Sequence, residues 1–146
     1  MRSLPESLRS DRKFIHTISE NVFTFLLRQH NMVTIDEMIS RAMSFPEVSH
    51  TPHFEKESFR VKKKIFATLD TKKQRAVVKL SPIDQSVFSA YDPDVIFPVA
   101  GGWGKQGWTV IELRKVRKTM FKDALQTAYC TVAPKNLSAQ LDVPKK

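Results

Sequence analysis

The chain contains little glycine, and all of it lies in one place. The four glycines of the 146 residues fall between positions 101 and 107, and the two tryptophans are at positions 103 and 108. Glycine adopts positive φ and permits close backbone approach, whereas tryptophan buries a large apolar surface. We predict an irregular loop between two strands, with both tryptophans packed in the core. Its structural residues are Gly101, Gly102, Trp103, Gly104, Gly107 and Trp108.

Three of these glycines match the spacing of a dinucleotide-binding loop. Such a loop needs a strand before it and a helix after it, so that the helix N-terminus meets the pyrophosphate. Here Pro98 precedes the loop, and the alternating, β-branched residues 108–113 follow it and predict a strand. We therefore expect no nucleotide at this loop, and nothing else in the sequence indicates a cofactor.

Cysteine and long apolar runs are also scarce. Cys130 is the single cysteine, which excludes an internal disulfide and any metal site built from several cysteines. The most apolar stretch near the N-terminus, residues 22–27, is too short for a membrane span or a signal sequence. We expect a cytoplasmic protein that does not associate with membranes.

Positive charge is abundant, since the formal net charge is +9. It is concentrated in two clusters. Residues 58–80 hold eight basic side chains and one acid, Asp70, and residues 114–122 hold five basic side chains and no acid. Positive fields of this kind attract polyanions and speed association with them, although a solvated, solubilising surface would show the same composition.

The pattern of apolar residues predicts one domain of α+β class. The length suits a single core, and the element order is helix, three strands, helix, two strands, helix. We predict a two-layer fold with a mostly antiparallel, five-stranded sheet and helices on one face. We place the domain at residues 32–141, after an N-terminal extension of residues 1–31 that is helical or loosely ordered and before a tail of residues 142–146.

The sequence makes two further predictions, one about a helix after Ser81 and one about the polar segment of residues 48–57. Ser81 and Pro82 are a typical helix start, and we expect the apolar side chains of that helix, Ile83, Val87, Phe88 and Tyr91, to face inward. Residues 48–57 are polar, so we predict a loop there. Its two histidines, His50 and His53, lack further ligands at a recognisable spacing, so we expect no metal site.

Catalytic groups do not converge in the sequence, so we expect a protein that is not an enzyme. No G-x-S-x-G or comparable motif is present. Cys130 lies on the apolar side of a predicted helix, where a buried and inert thiol is the expected state.

Nucleic-acid binding has better support from the charges. The first two predicted strands form a basic hairpin whose cations would meet phosphates along a duplex groove. A second candidate is the start of the last helix, where a phosphate would relieve the crowding of cations at a positive helix end. Trp103 beside Lys105 offers a base-stacking contact, although we favour burial of both tryptophans. The candidate binding residues are Arg60, Lys62, Lys63, Lys64, Lys79, Lys105, Lys115, Arg117 and Lys118.

Three segments of the sequence resemble the MmcQ/YjbR family of small bacterial proteins. They are FRVKKKIFATLD at 59–70, AVVKLSP at 76–82 and PVAGGWGKQGWTVIEL at 98–113, and the resemblance extends from about Met32 to Leu141. It implies a compact α+β fold similar to secretion chaperones and frataxin-like sheets, without an established enzymatic role. Family members are described as DNA-binding by inference. Where the family usually has glycine in the hairpin turn, this chain has Lys62, Lys63 and Lys64, which leaves a looser turn open.

We therefore carry three functional hypotheses forward. The first is a non-enzymatic DNA-binding or regulatory protein that contacts phosphates through the basic hairpin and the start of the last helix. The second is a protein-interaction module, either a homodimer or the receiver of an acidic partner. The third is a small-ligand binder that uses a cleft under the glycine loop.

Overall fold

The computed structural model describes residues 32–53 and 55–141. The predicted N-terminal extension and tail lie outside these residues, so those domain boundaries stay predictions. In chain order the elements are α1 (Ile35–Met43), β1 (Val48–His53), β2 (Lys56–Val61), β3 (Lys64–Asp70), β4 (Arg75–Lys79), α2 (Pro82–Tyr91), β5 (Ile96–Pro98), α3 (Gly102–Lys105), β6 (Trp108–Glu112), α4 (Lys118–Val132) and α5 (Lys135–Ser138).

The strands form one antiparallel sheet with the order β1-β2-β3-β4-β6-β5. Alternation along the strands sends Phe59 and Val61 of β2 and Ala76 and Val78 of β4 into the core. The long helix α4 covers this face with five buried residues, which include Tyr129. The predicted α+β class, with an antiparallel sheet and helices packed against it, is confirmed.

Aromatic rings join α1, the sheet and α4. The ring of Tyr129 stacks on Phe45 with centroids 4.8 Å apart and meets Phe66 edge-on at 5.4 Å. Its hydroxyl donates to the carbonyl of Pro46 at 2.7 Å, so the polar end of this buried residue is satisfied. Burial raises the pKa of Tyr129, with smaller contributions from Cys130 and Glu47.

The sheet has six strands rather than the predicted five. Residues 48–53, predicted as loop, form the edge strand β1 and pair with β2 through Ser49 with Arg60 and Thr51 with Ser58. This strand lies at an edge of the sheet, where Pro52 is tolerated and an alternation of apolar residues is not required. Its polar sequence therefore gave no strand signal.

The turn between β2 and β3 is tight despite its lysines. Lys62 and Lys63 are its two central residues, and both have positive φ, 50° and 70°. This is the backbone of a two-residue hairpin turn, for which glycine or asparagine is the usual choice. Lys62 also donates to Glu47 Oε1 at 2.8 Å. The turn therefore forms without glycine, and a looser connection is not needed.

Helix α2 does not bury the apolar side chains that the sequence assigned to the core. Ile83 is 77% exposed, Val87 62% and Tyr91 65%, so their predicted inward orientation is wrong. The helix is held by a polar side chain instead, because Gln85 Nε2 donates to the carbonyl of Gly104 at 2.9 Å and to Thr109 Oγ1 at 3.0 Å. Phe88 packs partly against the core.

The glycine loop is more ordered than predicted and presents one of its tryptophans to solvent. It contains the short helix α3, and Trp103 on that helix is 63% exposed. Trp108, the first residue of β6, is half-buried. The prediction that both tryptophans lie in the core is therefore wrong for Trp103, because the turn of α3 carries its side chain away from the sheet.

Two glycines of this loop sit where no side chain fits. A Cβ on Gly104 would lie 1.9 Å from the carbonyl oxygen of Val99, and one on Gly107 would lie 1.8 Å from that of Leu80. Gly107 also has a φ of 102°. In contrast, a Cβ on Gly102 would meet no atom within 4 Å.

We expect Gly104→Ala and Gly107→Ala each to lower the free energy of unfolding by about 2 kcal/mol or more, because backbone must move to admit the methyl group. Gly102→Ala is the matched control and should be near neutral. Urea unfolding followed by circular dichroism measures all three. Equal effects at positions 102 and 107 would contradict this account of the loop.

Candidate nucleic-acid interface

The structure separates the basic residues into two groups at opposite ends of the sheet. The strand β4 begins at Arg75 and ends at Lys79, and at about 3.3 Å per residue these positions lie roughly 13 Å apart. One group, which we call the hairpin end, consists of Lys62, Lys63, Lys64, Lys79 and Lys105. The other lines a surface depression, which we call the turn-end cleft.

The turn-end cleft is a depression of about 480 Å³ with an unusual lining. Its six residues are five cations and one acid: Lys72, Lys73, Arg75, Arg114, Lys115 and Glu112. They come from the β3–β4 turn, the first residue of β4, the last residue of β6 and the segment that follows β6. The two basic clusters of the sequence therefore converge here.

The single acid of the cleft is already neutralised. Arg75 and Glu112 face each other across the β4–β6 pair, and Arg75 Nε lies 3.0 and 3.1 Å from the two carboxylate oxygens of Glu112. Arg75 NH2 adds a contact of 3.0 Å. Several charge-assisted hydrogen bonds make the geometry of an ion pair specific. The Arg75–Glu112 pair therefore holds both side chains in a defined position in the lining of the cleft.

The remaining cations of the cleft are available to a ligand. Among the described residues, Lys73, Arg114 and Lys115 have no acidic partner. Lys72 lies 3.6 Å from Glu55, but both side chains are more than 75% exposed, and such surface pairs contribute little.

Backbone hydrogen bonds hold the two cationic segments in place. Gln74, which has a φ of 53°, accepts the amide of Leu113 at 3.0 Å, and its side-chain oxygen accepts from Arg114 Nε at 3.0 Å. The carbonyl of Glu112 accepts the amides of Lys115 and Val116 at 3.1 and 3.0 Å. These hydrogen bonds fix the backbone of the two segments that line the cleft.

The hairpin end is less concave, and two of its cations are engaged. Lys62 binds Glu47. Lys79 donates to the carbonyl of Gln106, and its ammonium lies 5.5 Å from the ring centre of Trp108. Lys63, Lys64 and Lys105 are exposed without an acidic partner among the described residues.

Three other predicted binding residues, Arg60, Arg117 and Lys118, lie outside both groups. Arg60 lies on the sheet face opposite Phe59, and its Nε is buried without a hydrogen-bond partner in the described part of the chain. Arg117 is the N-cap residue of α4 without a side-chain capping bond, and Lys118 lies 3.3 Å from Glu37 of α1. Of the predicted set, only Lys115 lines the turn-end cleft.

The sequence-based choice of site residues left out Lys72, Lys73, Arg75 and Arg114, which make up most of the cleft. Their charge was visible in the two basic clusters. What was missing was the pairing of β4 with β6, which sets Arg75 opposite Glu112.

Groups able to bind a metal ion or act as nucleophiles are sparse. No cluster of three or more potential metal ligands occurs within residues 32–53 and 55–141. His50 Nε2 lies 2.5 Å from Glu57 Oε1, and its ring stacks on Phe59, so a partner and a packing contact account for this residue. No helix of the described chain has the length and apolar character needed to cross a membrane.

The comparisons with known proteins fit this fold. The family model named YjbR matches residues 43–131, more than half of the chain. The chain belongs to the YjbR family. A crystal structure of the Deinococcus radiodurans protein DR2400, which carries the domain DUF419, is similar with a TM-score of 0.63 and 23% identity. The match covers 77% of this chain and 91% of that protein, and at this identity it supports the fold alone. No curated protein matches the chain.

Burial raises the pKa of the Cys130 thiol. A raised pKa lowers the thiolate fraction at neutral pH, and the thiolate is the nucleophile. We therefore expect Cys130 to react with iodoacetamide more slowly than free cysteine at pH 7, with a rate that still increases above pH 9. Mass spectrometry of the intact protein measures this, and labelling faster than that of free cysteine would contradict the inert-thiol interpretation.

Proposed function

We propose that this YjbR-family protein is a non-enzymatic nucleic-acid-binding protein of the cytoplasm that contacts DNA phosphates through the turn-end cleft. The observation that carries the proposal is the convergence of five cations from separate segments on one depression whose only acid is paired internally. Each free cation that meets a phosphate releases a counterion, which is the main source of non-specific affinity for DNA.

The cleft replaces the hairpin as the principal contact in this proposal. Three cations lack an acidic partner among the described residues at each end, namely Lys63, Lys64 and Lys105 at the hairpin end and Lys73, Arg114 and Lys115 in the cleft. Those of the cleft line one depression, whereas the hairpin end is less concave. Arg114 also presents a planar, multidentate donor that suits phosphate. The hairpin end then serves as a secondary contact along the same duplex.

Trp103 and Lys105 extend the proposal toward unpaired bases. Trp103 is 63% exposed on the short helix α3, and Lys105 is also exposed. An accessible indole stacks on an unpaired base, and a cation two residues further along the chain contributes to the positive potential that attracts the phosphates of the same strand.

Charge reversal in the cleft tests the proposal. We expect Lys73→Glu combined with Lys115→Glu to weaken binding to a generic duplex roughly tenfold or more and to reduce the log–log salt slope by about 2, because each lost phosphate contact removes about 0.9. Fluorescence anisotropy at several salt concentrations provides both values.

The matched control is Lys63→Glu combined with Lys64→Glu at the hairpin end, which changes the net charge by the same amount. A smaller effect of this control would localise the principal contact to the cleft. Equal effects would mean that overall charge, rather than the cleft, determines binding. No binding of the unaltered protein at low salt, where attraction is strongest, would overturn the proposal.

A second candidate function, protein interaction, is favoured by a different observation. Helix α2 exposes three large apolar side chains and buries none of its residues. This surface is distinct from the cleft in composition and charge.

A further inference from the structure

Helix α2 displays an apolar stripe that the domain itself does not use. Ile83, Val87 and Tyr91 are spaced four residues apart and therefore lie on one face of the helix. Their exposed fractions are 77%, 62% and 65%. An amphipathic helix normally turns such a stripe toward its own core, whereas α2 is held by Gln85 and by partial packing of Phe88.

The stripe is concentrated rather than scattered. The exposed large hydrophobic residues of the described chain are Met43, Ile83, Val87, Tyr91 and Trp103, and three of these five share the α2 stripe. Single exposed apolar residues are ordinary, but a contiguous set indicates an interaction surface.

A cavity continues the stripe at the end of α2. It has a volume of about 340 Å³, and Tyr91 forms part of its wall. Apolar side chains from three other segments contribute Val95, Ile96, Val116 and Met120. Asp92 and Arg117 complete the lining. A cavity with apolar side chains at the end of an apolar stripe suits an anchor side chain of a bound helix.

The segment of sequence that carries the stripe is acidic, although the chain as a whole is basic. Between Leu80 and Gly104 there are three aspartates and no lysine or arginine, although the whole chain has a net charge of +9. Asp92 is the C-cap of α2, where the helix dipole adds negative potential. Asp92 and Asp94 form no ion pair within the described residues.

These charges select among occupants of the stripe. A polyanion would be repelled by Asp92 and Asp94. A second copy that packed its α2 antiparallel against this one would bring two acidic segments together, and like charges oppose such an arrangement. A cationic partner is attracted by Asp92 and Asp94, and Arg117, which lines the cavity together with Asp92, favours an uncharged side chain inside the cavity.

We propose that the α2 stripe and its cavity form the docking surface for a cationic, amphipathic helix of a partner protein. The partner helix lays apolar side chains along Ile83 and Val87, inserts one into the cavity beside Tyr91, and places a lysine or arginine near Asp92 and Asp94. The contact is small, in the range of transient interfaces. The surface is separate from the turn-end cleft and carries charge of the other sign.

The test uses synthetic probe peptides with the unaltered full chain. Each fluorescent peptide has about 18 residues, roughly five helical turns, with leucines on one face and lysines on the other. A panel varies the leucine register, and a matched panel has glutamate in place of every lysine. We expect the lysine peptides to bind in anisotropy titrations in a way that depends on Ile83 and Val87, whereas any binding of the glutamate peptides to the cationic surfaces should not depend on these two residues.

Variants localise the site. We expect Ile83→Ser combined with Val87→Ser to weaken binding of the lysine peptide about tenfold or more, as the loss of central apolar contacts does at interfaces. Asp92→Asn combined with Asp94→Asn should weaken it less and reduce its salt dependence. Met43→Ser, at an exposed methionine of another helix, is the matched control and should leave binding unchanged. All of these side chains are exposed, and thermal unfolding verifies that each variant folds.

Three outcomes would overturn the proposal. The first is binding of the lysine peptide that the Ile83 and Val87 substitutions do not change. The second is failure of every register of the lysine panel to bind at low salt. The third is a dimer of the unaltered chain, seen by light scattering, that Val87→Ser converts to a monomer, which would assign the stripe to a second copy.

Discussion

The pairing of β4 with β6 is the constraint on which the rest of the domain depends. It joins residues far apart in the sequence, from Arg75 with Glu112 at one end to Lys79 with Trp108 at the other. At the second end the Leu80 amide donates to the carbonyl of Gly107 at 2.9 Å, an approach so close that a Cβ on Gly107 would collide with Leu80. Gly107 thus allows the end of β4 and the start of β6 to approach closely. The same pairing of β4 with β6 also forms the cationic cleft at the opposite end.

Helix caps and strand alternation were predicted correctly because they depend on residues close together in the sequence. Thr34 accepts the amide of Glu37 at 3.1 Å as an N-cap, and Ser81 caps α2 in the same way. The alternation of Phe59 and Val61 around Arg60 marks a half-buried strand. The edge strand β1 had no such signal, since its pairing with β2 requires no apolar residues.

The orientation of α2 was predicted wrongly because periodicity shows an apolar face without showing what that face contacts. Ile83, Val87 and Tyr91 have the spacing of a core stripe, yet Gln85 on the other side of α2 bonds to Gly104 and Thr109 and turns the stripe outward. Trp103 is exposed because α3 forms within the glycine loop. For the candidate site, charge counting found both basic clusters, but only the long-range register of β4 and β6 brings Lys73 and Lys115 to one depression.

Membership of the YjbR family establishes the fold, and fold alone does not define a partner. The two proposed surfaces nevertheless constrain each other, because they approach at the segment before α4: Lys115 lines the cationic cleft and Arg117 lines the cavity at the end of α2. An anionic strand in the cleft offsets the positive potential that Arg117 and its neighbours present to a cationic helix. The two ligands also carry opposite charges and attract one another. If both proposals hold, occupancy of one surface would favour occupancy of the other, with a coupling that salt weakens.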